Sequence, residues 1–116
     1  MTIHSIKKGM EQYNYFHQQV QAIVEANLEN RKFNVKNLSV KLGISRSQLY
    51  RKIKKTSGLS VAAFIRKVRL DTSKELLKNT DWTIATIAKK VGFQSSSYFT
   101  HSFTKVFGHS PKQERR

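Results

Sequence analysis

The stretch RSQLYRKIKK, residues 46–55, sets one phenol, two guanidinium groups and three ammonium groups around two apolar residues four apart, Leu49 and Ile53. At about 100° per residue, burying that apolar pair turns Ser47, Arg51, Lys54 and Lys55 to the opposite side of a helix. Arg46, Gln48 and Tyr50 fall on its flanks. A planar guanidinium at the centre of such a face can donate two parallel hydrogen bonds to O6 and N7 of guanine. Lys54 and Lys55 lie farther along, where an ammonium suits a phosphate oxygen, and Tyr50 offers its ring to a thymine methyl or its hydroxyl to phosphate. A basic exposed face that only keeps the chain soluble is the plainer alternative.

The stretch SSYFTHSFTK, residues 96–105, repeats the arrangement with milder groups. With Phe99 and Phe103 inward, the opposite side presents Ser97, His101, Thr104 and Lys105, flanked by Ser96, Tyr98 and Thr100. His101 takes the central place that Arg51 holds in the first stretch. It can meet a base or a phosphate. Ser95 fits a helix cap better than a contact residue. The first face is built for charge-rich docking, the second for weaker or shape-dependent reading.

The charge of the whole chain points the same way. Its 116 residues carry a formal net charge of +15. Residues 1–30 hold two lysines against three glutamates, so the entire excess lies in residues 31–116. Such a surplus favours a polyanion and makes binding salt-sensitive, with nucleic acid ahead of an anionic membrane. Catalysis has little to stand on. His4, His17, His101 and His109 lack metal-ligand spacing with carboxylates, the acidic residues are dispersed, and no cysteine or Gly-rich phosphate loop is present. The reading is of a non-enzyme without cofactor or metal. The start MTIHSIKKGMEQ has no apolar signal core and no segment is long enough to span a bilayer, so a soluble cytoplasmic chain with no membrane partner is expected.

Helices must position these faces. Phe16, Val20, Ile23, Val24 and Leu28 recur at amphipathic helical spacing, strand-like alternation is not sustained, and five glycines with one proline leave little turn chemistry for hairpins. The fold class is all-α. Val35, Leu38 and Leu42 match Ile84, Ile87 and Val91 at an offset of 49, whereas Leu49, Ile53, Gly58 and Ser60 match Phe99, Phe103, Gly108 and Ser110 at 50. One extra residue therefore enters the second copy between Gly92 and Phe99, which a turn absorbs more easily than a packed helix. Asn34 and Thr83 are candidate N-caps, with Phe33–Leu38 and Trp82–Ile87 as hydrophobic staples. Each copy is a short helix, a Gly turn and a longer helix, at about 34–57 and 83–107. The glycine-free segment between them predicts a long strut helix over about 60–78, capped by Ser60. Ser110-Pro111 opens a short last helix. Residues 1–14 carry weak pattern and are assigned as an arm or linker before a domain over 15–116.

From about Phe16 to Arg116 the chain resembles the DNA-binding domain of the AraC/XylS family of bacterial transcription regulators. The resemblance rests on LSVKLGISRSQLYRKIKKTSG, on FIRKVRL, and on TIATIAKKVGFQSSSYFTHSFTKVFGHSP. It implies seven helices, with two helix-turn-helix subdomains joined by a long linker helix and probing successive major grooves on one side of double-stranded DNA. Base-reading positions then fall on Ser47, Tyr50 and Arg51, with Arg46 near the backbone, and on Ser96, Ser97, Thr100 and His101. The sequence departs from the family pattern at His101, often an arginine or another strong hydrogen-bonding residue there. It also departs at Thr86, usually acidic, at Val61, usually proline, and at Glu114, where an aromatic is common. The last departure implies a weakly docked final helix.

The expected function is sequence-specific DNA binding and transcription regulation, as the C-terminal output part of a larger regulator. The resemblance implies RNA polymerase as a further partner and a sensing or dimerisation domain outside this chain. SRSQLYRKIK looks like members fused to two-component signalling proteins, which allows the cytoplasmic portion of a membrane-bound sensor. The alternative is a non-specific nucleic-acid-binding or polymerase-docking module.

Overall fold

Each helix after the first begins where the sequence supplies a side chain for backbone N–H groups that have no partner inside the helix. Asn34 and Asn37 cap one another reciprocally, as do Ser45 and Gln48, and Ser110 and Gln113, the last pair flanking Pro111 at the first helical position. Ser60 accepts from the Ala63 amide and Ser95 from the Tyr98 amide. Thr83 accepts from the Thr86 amide, but Thr86 cannot return the bond to the cap backbone as Gln48 does. The two threonine hydroxyls meet instead at 2.9 Å. A cap of this kind contributes about 1 kcal/mol.

The computed structural model describes residues 15–116. Among them it holds helix α1 over 15–25, α2 Val35–Leu42, α3 Arg46–Ser57, α4 Val61–Asn79, α5 Ile84–Lys90, α6 Ser96–Phe107 and α7 Pro111–Arg115, with no strand. The arm or linker expected over 1–14 lies outside the described residues. α1 is shorter than its apolar spacing implies, because the Asn27 amide donates to the Ile23 carbonyl at 2.7 Å and draws the chain into a turn. Leu28 still packs against the core from that turn.

The two copies match closely. α3 and α6 are both twelve residues long, and the extra residue of the second copy sits in its turn, between Gly92 and the Ser95 cap. Two apolar cores follow from this duplication. Val20, Val24, Phe33, Leu38, Leu49 and Ile53 pack with Val61, Phe64, Ile65 and Val68 of α4. Leu70 and Leu77, from the rest of α4, pack with Ile87, Val91, Phe93, Phe99 and Phe103. Phe99 and Phe103 are fully buried, with ring centroids 5.8 Å apart in edge contact. Burial of each such ring contributes about 1.5–3 kcal/mol. α4 packs against α3, α5 and α7, so it is the strut between the units.

Two expectations change. Trp82 is not buried as its counterpart Phe33 is: it stays 42% exposed, and the Lys90 ammonium lies 5.8 Å from its ring centroid. α7 is firmly seated although Glu114 stands where an aromatic is common. The Glu114 carboxylate reaches Lys74 and Lys78 of α4 at 3.4 Å each and His109 at 3.0 Å. The neighbouring Arg115 donates to the Leu77 and Thr80 carbonyls at 3.0 and 3.3 Å. Ion pairs and hydrogen bonds replace the apolar anchor. His109 and the two lysines hold the Glu114 carboxyl below its usual pKa.

Candidate nucleic-acid interface

On α3, burial of Leu49 and Ile53 leaves Arg46, Ser47, Tyr50, Arg51, Lys54 and Lys55 all exposed, Tyr50 by half. Lys54 has a second engagement that the sequence did not reveal: its ammonium donates to the Gly58 carbonyl at 3.0 Å, closing the C-terminal end of its own helix. On α6, Ser96, Ser97, His101 and Lys105 are exposed and Thr100 is half-buried. Ser96, Ser97, Thr100, His101 and Thr104 together line one shallow hollow along the outer side of α6. The four positions assigned to base reading in the second unit therefore share one surface. Ser95 is spent on its cap and takes no part in it.

The starts of both helices are electrostatically suited to an anion. Neither α3 nor α6 carries an acidic residue in its first turn, so the partial positive charge at each N-terminus is unopposed by a neighbouring carboxylate. Both caps, Ser45 and Ser95, have extended backbone geometry, and the helices begin directly after them.

Between the units runs an open groove of about 490 Å³ that projection of single helices could not reveal. Arg31 and Lys32 from the α1–α2 connection, Arg66 from α4, and Gln94 and Tyr98 from the second unit line it. Arg31, Lys32 and Arg66 are exposed. The only sequence signal for this surface is Arg66, which stands between the buried Ile65 and Val68 in FIRKVRL; the approach of residues 31–32 is a tertiary effect. Among the described residues no cluster of His, Asp or Glu is arranged to hold a metal ion, and no helix is long and apolar enough to cross a membrane.

A family profile described as a helix-turn-helix domain matches residues 38–116, and one described as a Mga helix-turn-helix domain matches residues 5–59. A solved transcriptional regulator from Chromobacterium violaceum, described as AraC-type DNA-binding domain-containing, superposes with a TM-score of 0.81 at 26% identity, covering 93% of both chains. This chain belongs to the AraC/XylS family. The AraC-type fold is shared also with the C-terminal domain of AraT, a response regulator from Geobacillus stearothermophilus, at a TM-score of 0.75 and 29% identity, covering 86% of this chain and 83% of that one. Over 91 residues, or 78% of this chain, it is 38% identical to the histidine kinase P4 of Formosa agariphila. Over 82 residues, or 71% of this chain, it is 39% identical to the Msm operon regulatory protein of Streptococcus mutans. The matched region makes up 7% of the former relative and 30% of the latter. As an AraC-type domain, the chain is a DNA-binding domain of the kind that transcription regulators carry.

Proposed function

We propose that this domain reads two boxes of a duplex, with α3 in one major groove and α6 in the next. A spacing of about one helical turn, roughly 34 Å, follows from such paired helix-turn-helix readers. Arg51 is assigned to a guanine edge, Tyr50 and Ser47 to adjoining bases, and Arg46 and Lys55 to the backbone. Ser96, Ser97, Thr100 and His101 read the second box by single hydrogen bonds and methyl contacts, and Lys105 grips a phosphate. Lys54 contributes positive field to the first box while it stays tied to Gly58. The phosphates between the boxes cross the groove of Arg31, Lys32 and Arg66.

One observation carries the reading. Both polar faces lie outward, each opposite a fully buried apolar pair in its own core. The domain serves as the output part of a longer regulator whose sensing or dimerising portion lies outside this chain, and RNA polymerase is the partner through which binding becomes transcription. The likeness to part of a histidine kinase and to a response-regulator domain supports phosphorylation as the input. Selection of bound duplexes from a random pool tests the assignment. Two enriched boxes one turn apart are expected, the first G-containing; enrichment of a single box, or of none, refutes it.

A further inference from the structure

The boundary between the two apolar cores falls at a single residue. Val68 belongs to the first cluster and Leu70 to the second, and between them Arg69 is 6% exposed. Its guanidinium has no carboxylate partner among the described residues. It donates instead to three backbone carbonyls from two distant segments: Leu28, Asn30 at 3.1 Å and Val91 at 2.8 Å. Leu28 and Asn30 lie in the turn that closes α1, and Val91 is the C-cap of α5. Helix C-terminal ends carry partial negative charge, so a cation is well placed where two of them converge. Burial alone lowers the Arg69 pKa, yet a guanidinium keeps its proton, and bonds from a charged donor offset part of the desolvation.

Among the described residues, little else of polar character joins the units. α2 packs on α3 and α3 on α4, while α5 packs on α4 and α6, and α6 on α7. Among the described residues one ion pair, Glu29 with Lys90 at 2.9 Å, spans the same seam from exposed side chains, and such pairs contribute little. A continuous helix fixes axial separation well but bends and twists more readily than a packed core. The three-carbonyl clasp supplies the lateral constraint that α4 lacks.

We infer that Arg69 is a positioning residue whose clasp on the α1 turn and the α5 end sets the register between recognition helices α3 and α6. The inference rests on the two-box reading above. Two modules held in matching geometry bind a paired site far more tightly than either alone, and lose that gain when the geometry is wrong.

The chain contains no cysteine, so Lys36→Cys on α2 and Val106→Cys on α6 accept spin labels at two exposed positions, one per unit. Without DNA, the parent should give one narrow inter-label distance. Arg69→Met, and Arg69→Lys with one nitrogen for three carbonyls, should broaden it while circular dichroism keeps the helical signal. On the selected duplexes, both variants should lose about 10- to 100-fold in paired-box affinity, keep single-box affinity within about twofold, and tolerate one or two inserted base pairs better than the parent. An unchanged distance distribution overturns the inference. So does a parallel loss at single boxes, and so does unfolding of both variants, because each assigns Arg69 to stability rather than register. If the parent shows no paired-box preference, the two-box reading fails, and the distance measurement still judges the clasp.

Discussion

The Arg69 guanidinium and the Leu28 carbonyl it binds occupy the space that a Cβ on Gly92 would need. Gly92 also has φ +86°, a backbone region open mainly to glycine. The turn of the second unit and the centre of the strut are thus built around one another, and the absence of a side chain at residue 92 is what admits the clasp.

Gly92→Ala should therefore be more damaging than its counterpart in the first unit. Gly43 has φ +70° but nothing within 4 Å of an added Cβ. Gly43→Ala carries only the left-handed strain, about 1–2 kcal/mol. Gly92→Ala adds the displacement of Arg69. Chemical denaturation of the two variants should show the larger loss at Gly92; equal losses would mean that the guanidinium gives way without cost.

Arg51→Ala should cost about 1–3 kcal/mol on the preferred duplex and relax discrimination at one base position. His101→Ala, removing a single contact from a softer face, should cost less. Titration against duplexes carrying each base at each position of both boxes checks both. A uniform loss across all sequences for Arg51→Ala would reassign that residue to the backbone.

Arg31→Gln and Arg66→Gln should weaken binding to all duplexes alike. Each phosphate contact removed should reduce the slope of log affinity against log salt by about 0.9. Affinities measured over a salt series decide this. A slope identical to that of the parent would place the DNA away from the groove.

Most of the fold was legible because its signals are local. Caps at Asn34, Ser60, Thr83 and Ser110, and the one-residue insertion before Ser95, are written in short-range side-chain chemistry, and the structure forms them. The outward faces of α3 and α6 followed from helical periodicity about Leu49, Ile53, Phe99 and Phe103. What the sequence hid is tertiary. Arg69 reads as one more basic residue of the strut helix until the Leu28, Asn30 and Val91 carbonyls are brought to it. Glu114 reads as a missing aromatic until Lys74, Lys78 and His109 surround its carboxylate. Trp82 reads as the equivalent of Phe33, but Phe33 is buried and Trp82 stays at the surface.

Glu114 makes the docking of α7 depend on acid. Because its folded pKa is lowered, by His109 first and by Lys78 and Lys74, its contribution is fully present above the ordinary carboxylate range. It is lost as pH falls from about 4.5 through the lower folded value. Glu114→Gln should lower the melting temperature at pH 7, and the gap from the parent should close as pH falls from about 4.5 through the lower folded value. A gap that persists unchanged in acid would show that the carboxylate charge does not hold α7.

The central claim is that one frame presents two recognition helices to one side of a duplex. Inserting five base pairs between the selected boxes turns the second box by about half a helical turn. The affinity of the unaltered chain should then fall to that for a single box. Binding that is indifferent to the insertion would contradict the account.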